Sequence, residues 1–185
     1  MTPIRAIATA ASTLALTLAC ASTQAQTVAF DIDALTVAPG ETFSLNLMAT
    51  GFTDAVLGGG FGLSFDPSVL RLDSVVIPAS WEFAKNGGLI DNASGTLSDA
   101  YFATNVPVPG DVKLATLTFT ALNVGQSLVT PLANTLQPFV EDGALEATLP
   151  AYQFATVTVA VPEPGALALM LAGGLALARL RSRRS

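Results

Sequence analysis

The sequence predicts an all-β sandwich over residues 26–160, with a targeting segment at each end. Two observations carry this. Short runs rich in Val, Thr, Leu and Phe recur between Gln26 and Ala160, and Gly, Pro, Asn and Asp break them at each return. No stretch between the ends sustains a helical period.

The elements follow in order. Thr27–Ile32 reads as the first strand. Ala38-Pro39-Gly40-Glu41 sets a Pro-Gly turn before Thr42–Leu47, whose alternation puts Phe43, Leu45 and Leu47 on one face. Phe61, Leu63 and Phe65 repeat that spacing, and Asp66-Pro67-Ser68 closes the run in a turn or single helical turn. Leu70–Val76 and Glu82–Lys85 follow, then Asn86-Gly87-Gly88 with hairpin chemistry, then Gly95–Ala103. Lys113–Thr120 alternates again through Leu117 and Phe119; Ser127–Leu132 and Tyr152–Val159 complete the set. Gly58-Gly59-Gly60 precedes a strand and lacks the lysine and helix of a phosphate loop.

The ends differ from this pattern. Arg5 followed by the small and apolar run Ala6–Ala19 reads as a secretory signal. Cleavage fits after Ala21 or Ala25, and Ala25 is preferred because a strand starts just beyond it, giving a signal peptide of residues 1–25. A lipoprotein reading of Cys20 is disfavoured, since Thr17 stands where a leucine-like residue is usual. Residues 161–185 hold Pro162-Glu163-Pro164, the 14-residue apolar run Gly165–Ala178, and Arg179, Arg181, Arg183 and Arg184. The run is shorter than the ~20 residues of a comfortable span. The arginines are expected to stay cytoplasmic, so the domain faces outward.

Charge separates along the chain. All 14 acids lie between Asp31 and Glu163, against Arg71, Lys85 and Lys113, a net charge of −11. Such a segment repels phosphate backbones, which excludes nucleic acid as a natural partner. The chain has no histidine, and its single cysteine falls in the signal peptide. A disulfide, a Cys/His zinc site and a Ser-His-Asp triad are therefore excluded from the mature domain.

The candidate sites are few. Asp66, Asp91, Asp99, Asp111, Glu141 and Asp142 could supply a glycosidase carboxylate pair. Turn chemistry accounts for Asp66 and Asp111, the others read as ordinary loop acids, and no enzyme is expected. Asp31-x-Asp33 and Glu141-Asp142 offer oxygens of the kind Ca²⁺ takes, but no EF-hand spacing occurs. Solvated charge is the better reading, and no cofactor or metal is assigned. Trp81, Tyr101 and Tyr152 are the aromatics that could face a ligand; for Trp81 a core plug is the competing reading.

The C-terminal order of Pro-Glu-Pro, short apolar run and basic end resembles the PEP-CTERM sorting signal. That resemblance implies transient anchoring in the inner membrane and processing by an exosortase. The mature protein would then lie at the cell surface or outside the cell. Within the domain three segments, in order, resemble the cohesin domain. They are Val37-Ala38-Pro39-Gly40-Glu41-Thr42, Gly60–Leu70 with its Phe65-Asp66-Pro67-Ser68-Val69-Leu70 element, and Gly110–Phe119. The resemblance implies a jelly-roll sandwich of about nine strands that binds a protein, a dockerin-like module among the candidates, through one sheet face. A carbohydrate (exopolysaccharide) binding module is the alternative, and a passive matrix or coat component the third reading. An exposed row of aromatics would favour sugar; a flat polar face with scattered small apolar residues would favour protein.

Overall fold

The computed structural model describes residues 25–161, and every regular element in that stretch is a strand. In chain order these are β1 (Thr27–Phe30), β2 (Ala34–Val37), β3 (Thr42–Thr50), β4 (Val56–Ser64) and β5 (Leu70–Val76). Then come β6 (Ala84–Asn86), β7 (Leu89–Asp91), β8 (Thr96–Val108), β9 (Val112–Ala121) and β10 (Gly125–Ala133). The last are β11 (Val140–Glu141), β12 (Ala151–Tyr152) and β13 (Ala155–Val159). They form a jelly roll. One sheet runs β12-β1-β3-β9-β5; the other runs β2-β13-β10-β4-β8-β6, with β11 on β4 and β7 on β8.

The alternation read from the sequence is the alternation found. Leu45 and Leu47, Phe61 with Leu63 and Phe65, and Leu117 with Phe119 all turn into the space between the sheets. Phe43 stacks on Phe119 with ring centroids 5.7 Å apart, directly across the β3–β9 ladder. Burying each such side chain contributes about 1.5–3 kcal/mol.

Thirteen strands replace the expected nine because Tyr152–Val159 divides into β12 and β13, and because β2, β7 and β11 lie where no strand was expected. Thr27–Ile32 ends early, and the chain switches sheets at residues 31–33 so that β2 runs parallel to β13. Asp31 fixes this corner: its carboxylate accepts from the Asn46 amide nitrogen at 3.0 Å and from Asn46 Nδ2 at 2.7 Å. The segment Tyr152–Val159 makes the mirror move, β12 lying parallel to β1 before β13 joins the other sheet.

Two glycine readings need correction. Asn86-Gly87-Gly88 makes no hairpin: β6 and β7 both pair with β8 in one continuous register, Asn86 opposite Tyr101 and Leu89 opposite Ser98. The hairpin turn is residues 92–95. There Asp91 accepts from the Ala93 amide and the Ser94 hydroxyl. Gly58-Gly59-Gly60 lies inside β4 rather than before a strand.

Those glycines mark close approaches. A Cβ on Gly58 would stand 2.8 Å from the Phe102 carbonyl oxygen. One on Gly60 would stand 2.7 Å from Gln137 Cβ, and one on Gly59 3.0 Å from the Phe139 ring. Between β10 and β11 the chain makes an excursion over residues 134–139. Its tip covers Gly60 on the outside, and Phe139 drops into the core beside Gly59. There Phe139 stacks against Phe52 and meets Phe102 edge-on, at 5.5 and 5.6 Å.

Gly40 and Gly95 separate two costs of replacing a left-handed glycine. Both have positive φ, +82° and +69°, but nothing lies within 4 Å of a Cβ at Gly40. A Cβ at Gly95 would collide with the Phe65 carbonyl oxygen, whose own amide donates to Gly95 O. Urea unfolding should show Gly40→Ala losing about 1–2 kcal/mol, the conformational cost alone. Gly95→Ala should lose more than about 3 kcal/mol, since a backbone collision is added.

Candidate functional site

A non-catalytic recognition surface needs an open, stable face, and the sandwich offers two. The outer face of the β1-β3-β9-β5 sheet is closed by its own hydrogen bonds. Ser44 and Thr118 hydroxyls meet at 3.2 Å, and Thr116 donates to Asn46 Oδ1 at 2.8 Å. Thr42 meets Thr120, which donates to Asp73, itself paired with Arg71 at 2.7 Å. These side chains satisfy one another and leave little unmet bonding for a partner.

The outer face of the β13-β10-β4-β8 layer is different. β10 alternates with Ser127, Val129 and Pro131 inward, so Gln126, Leu128, Thr130 and Leu132 point out. Its pairing with β13 ends at Val129, and Pro131, which has no N–H to give, sits just past that end. The register sets Thr130 beside Ser64 and Ser64 beside Thr96; Leu132 lies beside Gly62, and Leu128 beside Thr156. The result is a flat field of threonine, serine and glycine carrying exposed leucines. Leu128 and Leu132 are 49% and 44% exposed, and Leu136 at the excursion tip is 79% exposed.

The proposed ligand-facing aromatics divide. Trp81 is corrected: it is wholly buried, its ring 4.5 Å from Phe102, its indole N–H donating to the Lys113 carbonyl oxygen at 3.2 Å. Satisfying that one polar group lets the large apolar ring plug the sandwich. Tyr101 alternates with inward Phe102 and is half-exposed on the outer side of β8. Tyr152 lies elsewhere, at the sheet-switching corner. With Asp33, Gln153 and the exposed Phe154 it lines a depression of about 340 Å³. Burial raises the Tyr152 hydroxyl above its ordinary value, keeping it neutral. The structure therefore does not bring Trp81, Tyr101 and Tyr152 together as one row.

The acids are mostly local fasteners. Asp66 caps its turn through the Ser68 amide and hydroxyl, 2.9 and 2.6 Å away, and the Asp66 amide donates to the buried Ser127 hydroxyl. Asp111 accepts from the Gly51 amide. Glu141 is no ordinary loop acid. It is buried and accepts from Gln26 Nε2, the Asp54 amide and the Thr148 hydroxyl, clasping two distant segments and the nearby Thr148. Nothing in the local sequence marks it, because Gln26 and Asp54 are 115 and 87 residues away along the chain. Among the described residues no group of three or more acids, Cys or His stands together as a metal cluster. Nor is any helix there long and apolar enough to cross a membrane. Pro162, Glu163, Pro164 and the four C-terminal arginines lie outside the described residues, as do Cys20 and the signal peptide.

The model of the cohesin domain family matches residues 28–159. No curated protein sequence matches the chain. Among solved structures, the seventh ScaB type I cohesin of Pseudobacteroides cellulosolvens superposes with a TM-score of 0.59 at 14% identity. The match covers 76% of this chain and 95% of that one. A type I cohesin–dockerin complex from Clostridium thermocellum gives 0.56 at 10% identity, covering 72% and 99%. A type III cohesin from the cell-surface anchoring scaffoldin ScaE of Ruminococcus flavefaciens gives 0.56 at 16%, covering 78% and 93%.

The acid fasteners predict a pH dependence. The Ser68, Thr104 and Ser94 hydroxyls hold Asp66, Glu82 and Asp91 below their ordinary values of 3.8, 4.5 and 3.8. A carboxylate with a lower pKa folded than unfolded stabilises the fold fully above the unfolded value. That contribution is lost as pH falls through the folded one. Thermal unfolding should thus be flat from about pH 7 to 5 and drop progressively below about pH 4. The triple variant Ser68→Ala, Ser94→Ala, Thr104→Ala should lose stability at pH 7 and show a shallower acid drop.

Proposed function

The chain belongs to the cohesin family, and from that we propose that it is an exported, non-catalytic module that binds a protein partner on the outer face of β13-β10-β4-β8. The observation that carries this is the contrast between the two outer faces. One ties its polar groups to each other; the other is flat, small-residue polar, and studded with exposed Leu128, Leu132 and Leu136. Apolar anchors within a polar field are what protein interfaces use. A dockerin-like module is the candidate partner, by analogy with the complex from Clostridium thermocellum.

A second reading has its own observation. The corner depression lined by Tyr152, Phe154, Asp33 and Gln153 combines aromatic surface with polar groups, the combination that sugar rings require. It is one small site rather than a row, which supports a minor contact with exopolysaccharide more than a carbohydrate-binding module. A passive coat component, the third reading, has no comparable support.

Binding of the immobilised chain should be measured against dockerin modules, the organism's culture supernatant and its exopolysaccharide. Protein capture is expected, weakened at least about tenfold by Leu128→Ala with Leu132→Ala. Ser44→Ala with Thr118→Ala on the other face should change it less than about twofold. Sugar retention without protein, unaffected by the leucine pair and abolished by Tyr152→Ala, would overturn the protein reading.

Sorting is part of the same proposal. Pro162-Glu163-Pro164, the apolar run to Ala178 and the terminal arginines support anchoring in the inner membrane, exosortase cleavage and delivery to the surface. Mass spectrometry of the native protein should find a chain ending near Pro164. Replacing Pro162, Glu163 and Pro164 by alanine should leave the full C-terminus in the membrane fraction. An unprocessed C-terminus in the native protein would instead support a permanent anchor.

A further inference from the structure

The open face holds a depression of about 280 Å³ whose chemistry is more specific than the leucines around it. Gly62 is its floor, Leu97 and Asp99 of β8 form one wall, and Leu132, Asn134 and Leu136 form the other. The hollow exists because residue 62 has no side chain. A Cβ there would stand 3.1 Å from the Leu97 carbonyl oxygen and 3.6 Å from Leu132 Cβ.

Asp99 is the unusual member. Its φ of 57° makes it the one non-glycine in the left-handed region among the described residues. The ladder explains why: β4 pairs Phe61 with Ala100 but Leu63 with Leu97, so β8 carries one residue more than its partner. Asp99 belongs to that bulge, and Gly88, the residue across from it, is also left-handed, with φ of 85°. A bulge re-aims a side chain, and aspartate tolerates this backbone better than most residues. Here it places a carboxylate at the rim of an apolar hollow. The ion pair found among the described residues is Arg71–Asp73, on the opposite sheet, so no cation of that stretch neutralises Asp99.

We propose that this hollow receives a lysine or arginine side chain of the protein partner, the stem lying along Leu132 and Leu136 and the cationic head meeting Asp99. The inference rests on the open face being the partner face. The volume falls just under the ~300–1,000 Å³ of small-molecule sites and suits one inserted side chain. A long basic side chain lays its methylenes on apolar surface and keeps its charge at the rim, where a carboxylate accepts a charge-assisted hydrogen bond. A neutral apolar side chain would cover Asp99 without pairing it, which selects against such partners.

The test is an NMR titration of the full chain in detergent with N-acetyl-lysinamide, N-acetyl-argininamide and N-acetyl-norleucinamide. Both cations should shift the amides of residues 97–99 and 132–136 at roughly millimolar concentration. Norleucinamide should bind about three- to fivefold more weakly, the range of an exposed charge pair. Asp99→Asn keeps the left-handed backbone and should make the three probes equal. Equal binding of norleucinamide to the native chain, shifts centred elsewhere, or no shifts would overturn the proposal. If the titration fails while capture still depends on Leu128 and Leu132, the basic-side-chain pocket is rejected and the partner face stands. If capture no longer depends on them, the face itself is rejected.

Discussion

Close backbone approach along β4 is the constraint on which the rest of the molecule depends. This central strand has neighbours pressed against both faces, at distances where a Cβ on Gly58, Gly59 or Gly60 would collide. Absence of side chains there lets Phe139 enter the core on one side and the 134–137 excursion lie flat on the other. The same economy at Gly62 opens the hollow beside Leu132. Glycine in a strand interior costs conformational entropy. Here that cost is offset by an aromatic cluster of Phe52, Phe102, Phe139 and Trp81 on the inner side.

The two sheets have divided their tasks. On the β1-β3-β9-β5 side, paired hydroxyls and the Asp31–Asn46–Thr116 chain make a finished polar surface. On the other side the ladder presents short polar residues between leucines that nothing in the described chain covers. At either end of the domain, one bent segment crosses from sheet to sheet and runs parallel to a strand of the second. The buried Glu141 carboxylate ties Gln26, Asp54 and Thr148 across this seam.

The sequence announced what local chemistry determines. Two-residue alternation placed Phe43, Leu45, Phe61, Leu63, Leu117 and Phe119 correctly, because a core-facing strand leaves no other choice. Pro39-Gly40 and Asp66-Pro67-Ser68 declared their turns through φ preference and side-chain capping. What stayed hidden depends on distant partners. Gly58-Gly59-Gly60 looks like a breaker until the chains packed on it are known. Asn86-Gly87-Gly88 has hairpin chemistry but is overruled by β8, which holds both flanks in one register. Trp81 is apolar enough to bury and polar enough to display, and only the Lys113 carbonyl decides the matter. The proposed partner face was legible as a class of surface but not as a place, since exposure belongs to the assembled sheet.

On the proposed assignment the leucine-bearing face, not the hydroxyl-linked one, meets the partner. Hydroxyl-radical footprinting of the chain with and without its captured protein tests this most directly. Leu128, Leu132 and Leu136 report on one face, and Met48, half-buried on the outer side of β3 at the centre of the other sheet, on its opposite. The partner should protect the three leucines and leave Met48 oxidised as before. Protection of Met48 with the leucines unchanged would contradict it.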